Sequence, residues 1–304
     1  MTIKFGSVCS GIESASIAWE PLGMQAEWFS EIEPFPAAVL KHHWPDVINL
    51  GDMTLIKDMV EMGIVDSPDV LVGGTPCQAF SVAGARKGLD DERGQLTIEY
   101  VRLLDVLDQQ RRKSGRPETV CVWENVPGVL SSKDNAFGCF LGALAGEDCE
   151  LQPAGKKWTN AGCVFGPKRT VAWRVLNSQY FGVAQRRRRV FVVSSARSGF
   201  DPRKVLFESE GYSNPPEGSL ELCAATTITC GSAGNANSRG VVLFDGRNFR
   251  ALTPEEEECR QGFPKGHTDI PMSNSDRHRY KAIGNSKAVP VVKWLGERLL
   301  HELQ

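Results

Sequence analysis

A cysteine and a glutamate, each at the end of a predicted strand, are the residues of this chain best suited to covalent chemistry. Cys77 lies in the stretch Asp69–Ser81, where a short apolar run predicts a buried strand and the following glycines predict a turn. Glu124 ends a second strand-like run, which begins at Thr119. Open α/β sheets build their sites at the carboxyl ends of strands. A thiol and a carboxyl group at one sheet edge suit covalent chemistry on an electron-poor ring.

Strands and helices alternate through the first third of the chain. This alternation predicts a mostly parallel, doubly wound α/β sheet with helices on both faces. The predicted strands are Ile3–Val8, Ala26–Phe29, Val47–Leu50, Val70–Val72, Thr119–Trp123 and Val190–Val193. The predicted helices are Ser14–Leu22, Pro36–His43, Leu96–Gln110 and Ala288–Leu303.

A change of composition indicates a second, smaller domain. Between Ala196 and Asn248 the chain becomes rich in Gly, Ser, Asn and Pro, with short β-prone pieces. After it, Thr253 is a good helix N-cap, and Glu256 completes a capping box with it. The glutamate run 255–258 is therefore better explained by a helix start than by an acidic ligand site. We expect a catalytic and cofactor-binding domain at 1–195, a short target-recognition domain at 196–271, and a segment at 272–304 that returns to the first domain.

The composition is that of an ordinary globular protein, with 304 residues, 41% hydrophobic and 24% charged. No apolar run approaches the ~20 residues that cross a membrane, and the N-terminus lacks the build of a signal peptide, so a cytoplasmic protein is expected. The nine cysteines are irregularly spaced, without a C-x-x-C pair, and the five histidines are scattered. Reduced thiols and no metal site are the expectation.

The charge distribution is more informative than the net charge of −2. From Leu151 to Lys204 there are twelve basic residues and one acidic residue, Asp201. Such a segment inside a near-neutral protein is typical of a polyanion site, although a solvated face is the alternative.

The turns after the first three predicted strands suit an adenosine ligand. The turn around Gly11 would present backbone N–H groups at a helix start. Glu31, after the second strand, can accept from a ribose diol, and Asp52, after the third, can accept from an adenine amino group. No phosphate clamp of the P-loop type is present. The pattern favours S-adenosylmethionine over NAD or ATP.

Taken together, the sequence blocks resemble those of the DNA cytosine-5 methyltransferases of bacteria and their phages, over nearly the whole chain and in the usual order. Each block is weak alone, but Pro-Cys-Gln with Glu-Asn-Val and Gln-x-Arg-x-Arg is strong. The blocks are Cys9–Ile12, Glu31–Glu33, Gly51–Thr54, Gly74–Ser81, Glu124–Val126, Gln185–Val190, Leu252–Pro264 and Gly284–Ser286.

The resemblance implies a Rossmann-like, S-adenosylmethionine-dependent fold and a covalent mechanism. Cys77 would attack C6 of a cytosine flipped out of duplex DNA, so that C5 can take the methyl group. Glu124 would hold the base through N3 and the exocyclic amine. Arg187 and Arg189 would steady the base, the nucleophile and a nearby phosphate, and would lower the thiol pKa.

Further residue roles and the partner also follow only from the resemblance. The implied partner is double-stranded DNA, bound by a monomer that associates with the nucleoid when on DNA. The implied cofactor-binding residues are Cys9, Gly11, Ile12, Glu31, Ile32, Asp52, Met53, Thr75, Pro76, Asn285 and Ser286. The implied substrate- or DNA-binding residues are Gln78, Ser81, Asn125, Gln185 and Thr227.

Departures from the family pattern raise questions of their own. In the first block, Cys9 stands for a phenylalanine and Glu13 for a glycine, and Thr75 stands where compact members often carry an aromatic residue. Lys287 replaces an apolar residue, which would favour a cofactor with an extra anionic group unless the lysine points to solvent or DNA. Because the recognition region is short, we hypothesise that the long stretch between Glu124 and Gln185 supplies part of the DNA contact, through Lys156, Lys157, Lys168 and Arg169.

Two rival functions remain open from the sequence. An RNA cytosine-5 methyltransferase would use the same chemistry, although Ala79-Phe80-Ser81 favours DNA. A non-catalytic DNA-binding protein on this fold would make Cys77 an inert core thiol, Glu124 a helix cap and the arginine run a surface patch. It predicts no loss of function on Cys77→Ser and no covalent trapping on 5-fluorocytosine DNA.

Overall fold

The protein is built on one large mixed sheet, described by a computed structural model. The structure describes residues 2–75, 92–208, 225–226, 242–244, 249–272 and 275–304. Within these residues the strands are β1 (Lys4–Val8), β2 (Gln25–Ser30), β3 (Val70–Gly73), β4 (Val120–Asn125), β5 (Ala161–Phe165), β6 (Thr170–Asn177), β7 (Gln185–Arg186), β8 (Arg188–Ser195), β9 (Ala225–Thr226), β10 (Val242–Phe244) and β11 (Phe249–Ala251).

Helices flank the sheet on both faces. They are α1 (Ser14–Trp19), α2 (Pro34–His43), α3 (Ile56–Glu61), α4 (Glu92–Lys113), α5 (Ala136–Ala145), α6 (Pro202–Leu206), α7 (Pro254–Gln261), α8 (Asp276–Asn285) and α9 (Val289–Leu303). Short 3₁₀ helices span Glu20–Leu22, Met53–Leu55, Pro127–Ser131 and Ser178–Phe181. Within the described residues, each predicted helix is present to within four residues at either end.

The seven strands of the main sheet lie in the order β2-β1-β3-β4-β8-β6-β5. The pairs β2–β1, β1–β3 and β3–β4 are parallel, whereas β4–β8, β8–β6 and β6–β5 are antiparallel. The parallel half confirms the prediction for the first third of the chain. In the antiparallel half, β8 contains the predicted strand Val190–Val193, whereas β5 and β6 were not predicted, because the sequence before β8 was interpreted only through its basic residues.

One predicted strand is wrong. Val47–Leu50 forms a single parallel bridge, between Asn49 and Phe29 of β2, at the edge of the sheet. Pro45 before it and Gly51 after it, at φ +72°, leave too little extended chain for a ladder. Ile48 is exposed, so no second layer covers this edge segment.

Alternating side chains of the central strands feed two hydrophobic clusters, one on each face of the sheet. In β4, Val122 faces the first cluster and Trp123 the second. A sheet buried on both faces needs apolar residues at successive positions, which the short apolar runs provide. On the first face, α9 lies against α1, where Trp19 Nε1 donates to the carbonyl oxygen of Val292 at 2.7 Å.

The proposed domain division stays a prediction. Val205 and Leu206 of α6 are fully buried in the same cluster as Phe5 of β1, so α6 packs on the main sheet. Most of the chain between Glu208 and Phe249, where the recognition domain is expected, lies outside the described residues. The capping box of Thr253 and Glu256 at the start of α7 is confirmed.

Candidate active site

The loop after β1 has an unusual backbone conformation. Cys9, Gly11 and Glu13 have φ angles of 48°, 61° and 59°. Left-handed backbone at a non-glycine residue costs about 1 kcal/mol or more and is concentrated at functional sites. The conformation turns the N–H of Gly11 toward β2, where it donates to Oε2 of Glu31 at 2.8 Å.

Glu31 braces this loop and keeps capacity for a ligand. Its Oε1 accepts from the N–H of Glu33 at 2.8 Å, so two of the roughly four lone-pair positions of the carboxylate are used. Ile32 beside it is 72% exposed, and an apolar face of this kind can pack on an adenine ring. Asp52 is also exposed, and both bonds from Thr54 go to its Oδ1, at 2.9 Å each.

Two other expected cofactor contacts are removed from solvent, Ile12 completely and Cys9 in part. Ile12 is fully buried, so only its backbone can face a ligand. The Cys9 thiol lies 3.8 Å from the Met53 sulfur, and burial, followed by the nearby charge of Glu31, raises its pKa to about 12. Cys9 is therefore a neutral packing residue and not a second nucleophile.

His267 holds the same loop from the opposite side and was missed by the sequence analysis. Its Nε2 lies 2.8 Å from the carbonyl oxygen of Ile12, and its ring stacks on His43 with centroids 4.3 Å apart. Burial is the main reason why the pKa of His267 is lowered to about 4. The ring is therefore neutral at pH 7, with the Nε2 proton donated to Ile12. A single histidine in a loop gives no sequence signal for such a role.

The two departures Glu13 and Lys287 occupy one buried region. Glu13 is 1% exposed, and its Oε1 accepts from the N–H of Ser16, capping α1. Burial raises the pKa of Glu13 to about 7, opposed by a hydrogen bond from Ser7 and by the charge of Lys287. Lys287 is 8% exposed, so it does not point into solvent. The same lysine also acts electrostatically on Cys9, which places it beside the cofactor loop.

Glu124 lies at the end of β4, against the backbone that leads to Cys77. A methyl group placed on Gly74 would be 2.7 Å from the carbonyl oxygen of Glu124 and 3.2 Å from its Oε2. Only glycine therefore fits at position 74. On its other side, Oε1 of Glu124 lies 3.0 Å from Nε of Arg189, in a largely buried ion pair.

Thr75 is anchored by three contacts at the point where the described chain stops. Its hydroxyl accepts from Trp123 Nε1 at 3.1 Å and lies 2.5 Å from the hydroxyl of Thr97. Its carbonyl oxygen accepts from Asn125 Nδ2 at 2.9 Å. Thr75, which replaces an aromatic residue of the family pattern, is therefore held in place by hydrogen bonds two residues before Cys77. Asn125 is 5% exposed and acts here as a brace.

Arg187 ties the arginine block to the turn at Asn285–Ser286. It is 2% exposed, and its Nη2 donates to the carbonyl oxygens of Gly284, at 2.8 Å, and Ser286, at 2.5 Å. Gln261 Nε2 donates to the same carbonyl oxygen of Ser286 at 2.7 Å. Gln185, expected to contact the substrate or DNA, is fully buried and donates to Gln261 at 3.4 Å. Its side chain therefore supports the site from the interior.

Several expected residues lie outside the described part of the chain. The described part of the chain nevertheless contains most of the expected site, on elements that meet around the carboxyl ends of β1, β2 and β4. These residues are Glu124, Arg187, Arg189, the cofactor loop, Glu31, Asp52 and the turn at 285–286. The predicted residues outside it are Pro76, Cys77, Gln78, Ser81 and Thr227.

The expectation for the basic segment needs a correction. Arg169, predicted to contact DNA, is 1% exposed; its Nη2 lies 2.7 Å from Asp108 and 2.6 Å from Asp105. Lys168 pairs with Asp105 at 2.5 Å. Acidic side chains of α4, distant in sequence, neutralise these two cations, so they are structural.

Two general findings bear on the chemistry. No helix among the described residues is long and apolar enough to cross a membrane. In the same residues no group of three His, Cys, Asp or Glu side chains has the arrangement of a metal site.

The residues around the β1 loop fit an adenosyl cofactor. A methyl group on Gly11 would meet no atom within 4 Å, so the surface of the loop is open. Beside this opening lie the carboxylate of Glu31 and the exposed face of Ile32, and Asp52 follows the edge bridge to β2. A nucleoside without phosphates requires hydrogen-bond acceptors for its ribose hydroxyls and an apolar surface for its base, and it does not require a phosphate-binding loop.

Comparison with known proteins identifies the family. The model of the C-5 cytosine-specific DNA methylases matches residues 3–210. The type II methyltransferase M2.BsuMI of Bacillus subtilis is 26% identical, over 98% of this chain and 75% of its own length. The methyltransferase EhMeth of Entamoeba histolytica has a similar fold, with a TM-score of 0.70 at 16% identity, covering 100% of this chain and 99% of that chain.

A DNA N-6-adenine-methyltransferase of Escherichia phage P1 is 40% identical over 97% of this chain, which spans only 61% of the relative's length. The match extends over 457 aligned positions, whereas this chain has 304 residues, so the relative carries at least 153 residues of its own within the matched span. The family model covers more than two thirds of the chain. The chain belongs to the C-5 cytosine-specific DNA methylases, methyltransferases whose cofactor is S-adenosylmethionine.

Proposed function

We propose that this chain methylates C5 of cytosine in duplex DNA, with Cys77 as the nucleophile and Glu124 as the group that holds the base. The observation that carries the proposal is the contact of Glu124 with Gly74. It places a carboxyl group against the chain three residues before the only cysteine of the Pro-Cys-Gln block. Nucleophilic attack on a pyrimidine ring requires a nucleophile and a group that can transfer a proton, both at the same edge of the sheet.

The roles of the chain's own residues follow from the chemistry of cytosine. The Cys77 thiolate adds to C6, which makes a C–S bond and leaves C5 rich in electrons. Glu124 holds the base through N3 and the exocyclic amine and aids protonation of N3 as charge builds there. When bound, S-adenosylmethionine supplies an electrophilic methyl group on a sulfonium. Loss of the C5 proton to a base then expels the thiolate and restores the ring.

The surroundings of Glu124 support this role. Nε of Arg189 lies 3.0 Å from one carboxyl oxygen, as an ion pair without hydrogen-bond alignment, and Gly74 lies against the other oxygen. Glu31 and Asp52 would hold the ribose and the adenine of the cofactor, at the end of the sheet that also carries Glu124. The turn at Asn285–Ser286, held by Arg187, would close the cofactor site against the base site.

Transfer to N6 of adenine is the second candidate, because the phage P1 relative carries that name. The exocyclic amine of adenine reacts directly and needs no covalent cysteine. The two activities are separated by nucleoside mass spectrometry of unmethylated DNA incubated with the protein and S-adenosylmethionine. We expect 5-methylcytosine, its loss in Cys77→Ser, and covalent trapping on 5-fluorocytosine DNA. N6-methyladenine that survives Cys77→Ser would overturn the proposal, and a matched arm with tRNA tests the RNA alternative.

A further inference from the structure

A cavity of about 450 Å³ opens beside the segment that follows Glu124. One side is lined by Leu130 and Ser131, at the end of the 3₁₀ helix that follows β4. The returning loop before β5 forms the opposite wall, with Trp158 at its end. The lining includes three lysines, Lys133, Lys156 and Lys157, and no acidic residue.

Two glycines of α5 determine where this wall runs. A methyl group on Gly138 would lie 2.1 Å from the carbonyl oxygen of Leu151, and one on Gly142 would lie 2.6 Å from that of Cys149. These glycines stand four residues apart, on one face of the helix. The loop can therefore lie directly on that face and return toward the start of α5. Lys133, three residues before the start of α5, lines the same cavity.

The wall is fixed at both ends. Asn135 donates through Nδ2 to the carbonyl oxygen of Leu151 at 2.9 Å and accepts through Oδ1 from Trp158 Nε1 at 3.0 Å. The Trp158 ring packs edge-on against Phe137 and Trp173, with centroids 5.5 Å from each. Lys156 and Lys157 are therefore mounted on a loop whose position does not depend on a ligand.

The three lysines have uncompensated charge. All three are exposed, and among the described residues none forms an ion pair within 4.0 Å. Lys168 and Arg169, by contrast, are paired with carboxylates of α4. Like charges gathered around one concavity repel each other, and an anion placed between them removes that repulsion.

The position of the cavity suits the backbone of a bound duplex. Ser131 is seven residues from Glu124, so their Cα atoms are at most about 25 Å apart. DNA rises about 3.4 Å per base pair. In a duplex whose target base lies at Glu124, a length of about 25 Å therefore corresponds to about seven base pairs.

We propose that the cavity lined by Lys133, Lys156 and Lys157 binds phosphates of the DNA backbone flanking the target base, outside the recognition region. The inference rests on the proposed function, because duplex DNA is the polyanion that this function brings to the site. Phosphate contacts fix the register of a protein on DNA without reading sequence. The cavity thus supplements a recognition region that is short and poor in basic residues.

The test is the salt dependence of duplex DNA binding, measured by fluorescence anisotropy with a 30-base-pair duplex between 50 and 200 mM NaCl. The variant Lys133→Gln/Lys156→Gln/Lys157→Gln should bind about tenfold more weakly at 0.1 M salt, with a log–log slope less negative by about 2. The triple Lys→Arg variant should keep the slope of the unaltered protein. The matched control, Lys41→Gln/Lys113→Gln/Lys293→Gln, removes three exposed lysines elsewhere and should change neither quantity.

Each outcome has one meaning. An unchanged slope in the triple glutamine variant, or a loss confined to RNA duplexes, overturns the phosphate site. If the unaltered protein makes no 5-methylcytosine but the log–log salt slope of DNA binding is still less negative in the triple glutamine variant, the proposed function fails and the phosphate site stands. If 5-methylcytosine forms and the salt slope of the triple glutamine variant equals that of the unaltered protein, the function stands and the phosphate site fails.

Discussion

Nε of Arg189 in β8 lies 3.0 Å from Oε1 of Glu124 in β4, so an ion pair joins these two neighbouring antiparallel strands. This ion pair restrains the carboxyl group. We expect Glu124→Gln to lower kcat by about 10²–10⁴-fold, because the amide cannot give N3 a proton.

Arg189→Ala should lower kcat by a smaller factor, on the order of tenfold, because the carboxyl group remains but is no longer oriented. Both variants should bind S-adenosylmethionine as the unaltered protein does, measured by calorimetry. A loss of cofactor affinity equal to the loss of kcat would show that the pair acts on the cofactor instead.

Gly74→Ala should inactivate the protein, because its methyl group would overlap the carbonyl oxygen of Glu124 at 2.7 Å. Either β3 or β4 must move at its carboxyl end, which displaces Glu124 relative to Cys77. Gly128→Ala is the matched control, since its nearest neighbour would be a Val126 methyl group at 3.9 Å. Methyl transfer and thermal unfolding are the measurements. Equal behaviour of the two variants would contradict the role given to this contact.

Glu31→Gln should weaken S-adenosylmethionine binding by roughly 10–100-fold, because a hydrogen bond to a charged group contributes about 1.5–3 kcal/mol. The variant loses the charge that accepts from Gly11 N–H and that would accept from the ribose. Glu33→Gln is the control, because Glu33 is exposed and pairs only with Lys281 among the described residues. Calorimetric titration of both variants decides the point, and a similar loss in Glu33→Gln would assign the effect to general surface charge.

His267 should make the protein sensitive to acid. Its pKa is lowered to about 4 in the folded protein, below its ordinary value of 6.5. Its stabilising contribution is therefore complete above pH 6.5 and is lost as the pH falls toward 4, by about 3 kcal/mol at most. Denaturant unfolding between pH 7.5 and 4.5 should show this slope, and His267→Gln should remove it. His301→Gln, at an exposed histidine, should leave the slope in place.

Glu13 should have the opposite pH dependence. Its pKa is raised from 4.5 to about 7, so the folded protein retains this proton more strongly than the unfolded chain. The contribution is complete below pH 4.5 and is lost as the pH rises through 7, by about 3 kcal/mol. Glu13→Gln should be more stable than the unaltered protein at pH 8 and similar at pH 4.5. A pH-independent difference between them would show that Glu13 is not protonated in the fold.

The sequence by itself determined the strands β1 to β4 of the parallel half of the sheet, although the strand predicted at Val47–Leu50 forms only a single bridge. Local rules suffice there, because apolar runs, glycine turns and a capping box such as Thr253 with Glu256 depend on neighbours within a few residues. It also determined the family, since the blocks around Cys77, Glu124 and Arg187 need only residue types and order.

Only the tertiary structure decided which charges are available and which side chains carry the site. Arg169 and Lys168 have the same sequence signal as Lys156 and Lys157, yet the first two are neutralised by Asp105 and Asp108 of α4, about sixty residues earlier. His267 reaches Ile12 across 255 residues. Burial and ion pairing depend on distance in space, and a one-dimensional pattern of charges does not contain that distance.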